Sequence, residues 1–158
     1  MEIRHATLQD TTGIYELGRS DSAFAVSRSI PFYELSELEQ WVQSPKDNLL
    51  MVASIDCRVV GFLFCKVISH HWAMLDNCYV HPQFREQGIG SRLLGALIQA
   101  LKERGIEYMS ALCNVNDRPL LDHLSRKGFQ LGNAYRWIEL FVDGRNPGDS
   151  NRTRVAPG

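Results

Sequence analysis

An apolar run, a turn with two glycines and an amphipathic pattern follow one another directly between residues 72 and 104. Leucine or isoleucine recurs every four positions from Ile89 to Leu101, which predicts a helix with one buried face. Gly105 follows this pattern and is typical of a helix end, because glycine readily adopts the left-handed conformation found there. A strand that runs through a short turn into a long helix favours a layered α/β domain.

The remaining patterns continue this alternation. Apolar runs rich in β-branched and aromatic residues predict strands, and apolar spacings of three and four predict helices. The predicted strands cover about 2–6, 48–55, 58–68, 72–80, 106–112, 129–131 and 135–142. The predicted helices begin after Thr7, at about Glu34, at Ile89 and after Asn116.

Turn and capping residues separate these elements. Asp56-Cys57 is a plausible hairpin connection between two strands, and Thr7 with Asp10 forms an imperfect capping box before the first helix. The chain of 158 residues is therefore predicted to hold a single α/β domain over residues 1–143. Residues 144–158 are turn-rich and poor in apolar residues, which predicts a polar tail.

Charge and composition limit the classes of partner. With 44% hydrophobic and 22% charged residues and a net charge of -1, the chain lacks the basic surplus of a nucleic-acid or membrane-surface protein. No apolar run is long enough to cross a bilayer, and the N-terminus lacks the apolar core of a secretory signal. The four cysteines share no C-x-x-C spacing, so we expect reduced thiols, no metal site and a cytoplasmic location.

The glycine turn has the composition of an anion site. The first N–H groups of a helix lack intrahelical partners and carry partial positive charge, and glycine allows a phosphate to approach them. The stretch "REQGIG" at 85–90 fits neither G-x-x-x-x-G-K-[ST] nor G-x-G-x-x-G. It matches R/Q-x-x-G-x-G/A, and "MLDNCYVHPQFREQGIGSRLL", "NVNDRPLLDHLSRKGF", "VVGFLFC" and "IRHATLQD" extend the match. In combination, these segments resemble the GNAT superfamily of acyl-CoA-dependent N-acyltransferases over about residues 2–142.

The resemblance implies a mixed, mostly antiparallel sheet of six to seven strands flanked by about four helices. It also implies acetyl-CoA as co-substrate. Backbone amides of the turn would bind the pyrophosphate with Arg85 beside them, and the strand end would pair with pantetheine, which Asn116 would also bind. The residues of the turn are Gln87, Gly88, Ile89, Gly90 and Ser91. The residues of the strand end are Tyr79 and Val80.

Acetyl transfer to an amine requires a base, since an alkylammonium has a pKa of about 10.4. Asp76 is the candidate, because it lies where polyamine acetyltransferases of the family carry a glutamate. The alternative for Asp76 is a structural carboxylate that pairs with the backbone or an arginine. His70, His71 and His81 are weaker candidates for the base. By the resemblance, the backbone N–H near Val80 would stabilise the negative charge that develops on the thioester oxygen.

Two positions depart from the family pattern. Leu124 stands where a tyrosine general acid is common, so Tyr79, Tyr135 or water would have to replace it, or the CoA thiolate would leave unaided. Leu124 itself is expected in the core. Ala111 stands where ribosomal-protein N-terminal acetyltransferases carry a glutamate, which counts against their mechanism.

The acceptor remains open at this level. By resemblance, the loop between the first two helices and the last hairpin would shape its cleft. Two sets of residues there suit opposite acceptors: an aromatic set suits an apolar or cationic amine, and an arginine set suits an acidic acceptor. The aromatic set is Phe24, Phe32, Tyr33 and Trp137, and the arginine set is Arg19, Arg28 and Arg136.

The predicted function is therefore acetyl transfer from acetyl-CoA to a primary amine of a small molecule or a peptide. One alternative is a non-catalytic acyl-CoA-binding, regulatory protein, and another is an unrelated phosphate-binding domain. The resemblance leaves a homodimer open, because family members are often dimers. We expect neither nucleic acid nor membrane as a partner.

Overall fold

The computed structural model describes residues 1–21, 32–135, 138, 140 and 142. It divides into two compact units, Met1–Ala111 and Leu112–Gly158, which are described in turn. The expectation of one domain over residues 1–143 stays a prediction. Within the described ranges the longest helix has 15 residues, and no helix is long and apolar enough to cross a membrane.

The first unit contains a five-stranded sheet in the order β1-β2-β3-β4-β5. The first four strands are antiparallel neighbours, and β4 and β5 run parallel, so the predicted mixed, mostly antiparallel sheet is confirmed. The strands are β1 Glu2–His5, β2 Asn48–Ile55, β3 Arg58–Val67, β4 Trp72–Val80 and β5 Tyr108–Ala111. In the hairpin between β2 and β3, Asp56 and Cys57 both have positive φ, at 48° and 62°, as a tight hairpin turn requires.

Four helices are present in the described chain, as predicted. Three of them, α1 Thr11–Arg19, α2 Leu35–Gln43 and α3 Ile89–Glu103, belong to the first unit, and α4 Arg118–Arg126 belongs to the second. Short 3₁₀ turns at Leu8–Asp10 and Pro82–Phe84 precede α1 and α3. The predicted link between Thr7 and Asp10 is confirmed, since the Thr7 N–H donates to Asp10 Oδ2 at 2.7 Å.

Helices cover both faces of the sheet, which explains the continuous apolar runs of the central strands. On one face, α1 and α2 bury Ile14 and Leu38 in one cluster with Phe62 and Phe64 of β3. On the other face, α3 packs against β2, β3 and β4 with a row of buried leucines. The end of α3 follows the expected pattern, because Gly105 has φ 72° and the Ile106 N–H donates to the Leu101 carbonyl.

The second unit begins with the loop that leads into α4. The prediction of Asn116 as the cap of α4 is wrong: Asp117 is the N-cap, and its carboxylate accepts a hydrogen bond from the Leu120 N–H at 3.1 Å. Asn116 lies one residue too early and instead donates its backbone N–H to Asn114 Oδ1. At the other end of α4, Gly128 has φ 93° and the Phe129 N–H donates to the Leu124 carbonyl, which closes the helix.

The expected six to seven strands are reduced to five among the described residues. Residues 129–131, predicted as a strand, have no strand structure, and the described residues of 135–142 have none either. The side chains of Ile138, Leu140 and Val142 are at least 85% exposed. An alternating apolar pattern predicts a strand only if a neighbouring strand supplies hydrogen bonds and a packing surface, and these residues show neither burial nor ladder bonds.

Candidate active site

The turn before α3 leaves backbone amides directed outward. Gly88 is the N-cap with φ 75°, and Glu86 also has a positive φ of 64°. The Arg92 N–H makes the first helical bond, 3.0 Å to the Gly88 carbonyl, so the amides of residues 89–91 have no partner inside the helix. A Cβ built on Gly88 would meet no atom within 4 Å. The start of α3 therefore offers open amides and the positive end of a helix dipole, which suits a phosphate.

The neighbouring positions of the turn have different roles. Ile89 is buried and anchors the helix start, whereas Gln87 is exposed. A Cβ on Gly90 would lie 3.9 Å from Val80 Cγ2, which is an ordinary contact. The left-handed backbone of Gly88 already favours glycine there, whereas neither packing nor a positive φ demands glycine at position 90, where an approaching ligand is a reason for it.

Arg85 links the turn to the end of β4. Its Nε donates to the Val80 carbonyl at 2.9 Å, and its guanidinium lies 5.8 Å from the centroid of the Tyr79 ring. A longer contact of 3.9 Å joins it to the Asp21 carboxylate. About half of the Arg85 side chain remains exposed. Arg85 thus positions the strand end and still offers positive charge beside the turn.

The pairing of β4 with β5 is short. The two strands pair only from Trp72↔Tyr108 to Leu75↔Ala111, although β4 continues to Val80. Within the described residues of the first unit, β4 extends five residues beyond its last pair with β5, and four of these five, Asn77 to Val80, pair with β3. On its β5 side, this section of β4 therefore has room for an extended ligand that would lie along it as a further strand does.

A β-bulge places Asp76 at the start of the section of β4 that extends beyond β5. Phe64 pairs with Asn77 and Cys65 pairs with Leu75, so Asp76 is the extra residue of β4. Bulges re-aim side chains and are frequent next to active sites. Two different side chains bind the carboxylate: the Tyr33 phenol donates to Asp76 Oδ2 at 2.5 Å, and Lys66 Nζ lies 3.6 Å from the same oxygen.

Aromatic rings surround the Lys66 ammonium. Its Nζ lies 5.6 Å from the ring centroid of Tyr33, 5.5 Å from that of Trp41 and 5.4 Å from that of Phe64. Trp41 and Phe64 are stacked, with centroids 4.3 Å apart. We call these three rings, together with Asp76, the Lys66 pocket. An ammonium in such a pocket is attracted both by the rings and by the carboxylate.

Burial and the Asp76 carboxylate affect the titration of their neighbours. Burial, followed by the hydrogen bond to Asp76 and its charge, raises the pKa of Tyr33 well above the usual 10.0. Tyr33 therefore remains a phenol and a hydrogen-bond donor at neutral pH. Burial and the Asp76 charge raise the pKa of the Cys65 thiol to about 12, so Cys65 is not a nucleophile at neutral pH.

The sequence patterns do not reveal Lys66 and Trp41 as members of this cluster. Spacing places Trp41 only on the apolar side of α2. A signal for Lys66 is present, because it is the only charged residue in the run from Val59 to Ile68. A single charge in a buried strand indicates a partner nearby.

The three candidate histidines and Tyr79 lie in different parts of the first unit. His70 and His71 lie on the exposed turn between β3 and β4, and His81 caps the 3₁₀ turn with its Nδ1 accepting from the Gln83 N–H. The Tyr79 ring is buried and stacked against Phe62, so its phenol is part of the packed core of the first unit.

The expected acceptor residues are described only in part. Phe32 is a core residue, Arg19 contacts the Tyr15 hydroxyl, and Tyr135 is exposed. Four of the remaining positions lie outside the described residues: Phe24, Arg28, Arg136 and Trp137.

In the second unit, Asn116 is exposed and Leu124 is buried. The expectation that Leu124 belongs to the core is confirmed. Ala111, at the end of β5, is half-buried and offers no polar group.

Comparison with known proteins identifies the family. The sequence matches the acetyltransferase (GNAT) family over residues 12–129. A relative from Methanocaldococcus jannaschii, an uncharacterized N-acetyltransferase, is 24% identical over 108 residues, which are 64% of this chain and 48% of the relative. The chain thus spans about half the length of that relative.

Two further proteins are similar over most of their length. A putative ribosomal protein bS18-alanine N-acetyltransferase of Bacillus subtilis is 22% identical over 130 residues, which are 82% of this chain and 81% of the relative. The solved structure of an aminoglycoside N-acetyltransferase in complex with CoA superposes with a TM-score of 0.72 at 16% identity, covering 89% of this chain and 99% of that chain. The latter likeness shows a common fold, and the family match covers most of the sequence. The chain therefore belongs to the GNAT family of acetyltransferases.

Proposed function

We propose that this protein transfers an acetyl group from acetyl-CoA directly to a primary amine of a small molecule or a peptide. The observation that carries the proposal is the open glycine turn of α3 together with the section of β4 that extends beyond its pairing with β5. These two features suit the two halves of the donor. The turn suits a pyrophosphate, and the section of β4 beyond β5 suits the amide-containing pantetheine arm.

In this proposal, the amides of residues Gln87 to Ser91 bind the pyrophosphate. Gly88 and Gly90 let it approach the backbone, and Arg85 adds positive charge beside it. The backbone of Tyr79 and Val80 pairs with pantetheine in the way that a further strand would. Asn116, which the resemblance assigns to the same arm, lies in the second unit with an exposed side chain, and its role stays a prediction.

Asp76 is the proposed general base. Its bulge position puts Asp76 at the start of the β4 section beyond β5, and the Tyr33 phenol fixes one of its carboxylate oxygens. The acceptor arrives as an ammonium and must lose a proton before it can attack, and Asp76 accepts that proton directly or through water. A base held by a rigid neighbour keeps the orientation that proton transfer needs.

The reaction then follows the chemistry of a thioester. The neutral amine nitrogen attacks the carbonyl carbon, and the backbone N–H near Val80 stabilises the negative charge on the carbonyl oxygen. The C–N bond forms, the C–S bond breaks and CoA leaves as a thiolate, which takes up a proton. A thiol with a pKa near 8.5 is a tolerable leaving group, so the buried Leu124 in place of a tyrosine does not prevent turnover.

The alternative is a regulatory protein that binds acyl-CoA without turnover. Leu124 favours this alternative, because it removes the usual proton donor, and general acid help is typically worth about 10²- to 10⁴-fold. The acceptor is the other open point. The Bacillus relative supports a peptide N-terminus, and the aminoglycoside enzyme supports a small amine, so both belong in any test.

Two measurements test the proposal in sequence. Titration calorimetry with acetyl-CoA should show saturable binding, and an absence of binding would exclude both the enzyme and the regulatory alternative. Release of the CoA thiol is then followed over a panel of alkylamines, aminoglycosides and peptides with free N-termini. Acceptor-dependent release supports the enzyme, and saturable binding with no acceptor-dependent release supports the regulatory alternative.

A further inference from the structure

The environment of Lys66 is that of a bound amine substrate. The Lys66 ammonium lies 3.6 Å from Asp76 Oδ2 and within 5.6 Å of the three ring centroids of its pocket. About one third of the Lys66 side chain is exposed, so the amine is not sealed in the core. Aromatic faces next to a carboxylate are a general means of binding an ammonium group. Here the ammonium that fills the pocket belongs to the chain itself.

Lys66 is distinguished from the other lysines by this contact. All four lysines lie among the described residues, and in that part of the chain Lys66 is the one that forms an ion pair with a carboxylate. Lys46, Lys102 and Lys127 are exposed, which gives a matched set with ordinary reactivity.

The position along the sheet brings Lys66 next to the proposed donor site. Lys66 of β3 pairs with Met74 of β4, and its side chain extends to Asp76 two residues further on. Asp76 follows directly after Leu75, the last residue of β4 that pairs with β5. The Lys66 amine is therefore bound to the first residue of the edge along which the pantetheine arm is proposed to lie.

We infer that Lys66 is an internal acetyl acceptor and that the protein acetylates this side chain. The inference rests on the proposed function, since it needs acetyl-CoA on the β4 edge. Asp76 takes a proton from the Lys66 ammonium, and the neutral Nζ attacks the thioester carbonyl. A C–N bond forms, the C–S bond breaks, and CoA leaves as a thiolate that is then protonated. The product is an uncharged acetyl-lysine that has lost its ion pair with Asp76.

The test uses the full chain with acetyl-CoA and no added acceptor. Intact-mass spectrometry follows acetyl addition with time, and peptide mapping assigns it. General base help is typically worth about 10²- to 10⁴-fold, so Lys66 should be acetylated at least about 100-fold faster than Lys46 or Lys102, which report the uncatalysed background. Lys66→Arg should remove the fast phase, whereas Lys46→Arg should retain it. Asp76→Asn should slow the labelling of Lys66 toward the background.

Calorimetry with acetyl-CoA on the same samples distinguishes a failure of the internal-acceptor inference from a failure of the proposed function. Binding of acetyl-CoA with Lys66 labelled no faster than Lys46 overturns the internal acceptor and leaves the proposed function standing. An absence of binding overturns both. Fast labelling of Lys66 that persists in a Gly88→Leu variant unable to bind acetyl-CoA would also overturn the inference, because the reaction would then be ordinary surface chemistry.

Discussion

Tyr33 donates its phenolic proton to Asp76 Oδ2 across 2.5 Å, and this bond connects the segment before α2 to the bulge of β4. Because burial and Asp76 keep Tyr33 protonated, the bond persists over the neutral pH range. Lys66 shares the same oxygen. The candidate base is therefore held by two side chains from two different parts of the fold.

The first prediction concerns this carboxylate. Asp76→Asn should lower the rate of acetyl transfer by about 10²-fold, because the amide accepts no proton. The loss should be largest at low pH, where the acceptor is almost fully protonated, and smaller as the pH approaches the pKa of the amine. The measurement is the pH–rate profile with an acceptor found in the panel. Asp47→Asn, which changes an exposed carboxylate, is the control, and a profile of Asp76→Asn that matches it would refute the role of the base.

The second prediction concerns the glycine turn. Gly88 and Gly105 both have positive φ, at 75° and 72°, and a Cβ added to either would meet no atom within 4 Å. Gly88→Leu and Gly105→Leu should each cost about 1 to 2 kcal/mol of unfolding free energy, because a side chain is strained in the left-handed region. Only Gly88→Leu should also abolish saturable binding of acetyl-CoA in calorimetry. Equal affinities in the two variants would show that the turn is not the pyrophosphate site.

The third prediction concerns the buried pair of Arg4 and Asp10. Asp10 is buried and accepts two hydrogen bonds from the Arg4 guanidinium, at 2.7 and 2.9 Å. Asp10→Asn should lower the unfolding free energy by about 2 to 3 kcal/mol at pH 7. This loss is smaller than that from breaking a fully buried ion pair, because Arg4 is partly exposed. Glu2→Gln is the control, because this second carboxylate on Arg4 is exposed and should change stability by less than about 1 kcal/mol.

The same pair predicts how stability depends on pH. Burial raises the pKa of Asp10, but hydrogen bonds from Arg4 and Thr7 outweigh it, so the net pKa is lowered from 3.8. The unfolded chain therefore binds a proton first as the pH falls. The contribution of Asp10 to stability is complete well above pH 3.8 and declines below it, through the lower pKa of the folded state. Denaturant unfolding at several pH values should show this decline in the natural protein and a weaker one in Asp10→Asn.

The fourth prediction compares two glycines within helices. A Cβ on Gly18 of α1 would lie 2.2 to 2.5 Å from atoms of the Phe32 ring, whereas a Cβ on Gly95 of α3 would meet nothing within 4 Å. Gly18→Ala should destabilise the protein by about 1 to 3 kcal/mol through overpacking. Gly95→Ala should stabilise it by about 0.5 to 1 kcal/mol, since alanine is the better helix former. Thermal unfolding measures both, and a stabilised Gly18→Ala would contradict the packing of Phe32 against α1.

Local sequence patterns predict most of the helices and strands, and they fail where the structure depends on a neighbouring strand or on backbone geometry. The bounds of β2, Asn48–Ile55, and of β4, Trp72–Val80, agree with the apolar runs, and six consecutive residues of β2 are buried. The run at 135–142 has a similar composition, but its described residues, 135, 138, 140 and 142, are not in a strand, and composition alone does not supply the neighbour that a strand requires. The predicted cap of α4 is wrong by one residue, since Asn116 and Asp117 are both good caps and backbone geometry selects between them.

The candidate site is predictable as a turn but not as a cluster. The spacing of the glycines predicts the turn before α3 and its proposed phosphate site, because both are formed by residues that are consecutive in the sequence. Tyr33, Lys66 and Asp76 are far apart in the sequence and meet because of the strand register and the β4 bulge. Local sequence patterns predict neither the register nor the bulge. The functional assignments, including Asp76 as a base, stay predictions.

With Asp76 as the proposed base, the bulge of β4 also makes catalytic capacity separable from the fold in evolution. Asp76 is the one residue of that strand section without a pairing partner, so losing it would align Leu75 and Asn77 in a regular ladder with Cys65 and Phe64. A one-residue deletion would thus keep the sheet and the glycine turn while removing the carboxylate. A lineage could pass from enzyme to acyl-CoA sensor in a single step, and the length of this strand would distinguish the two descendants.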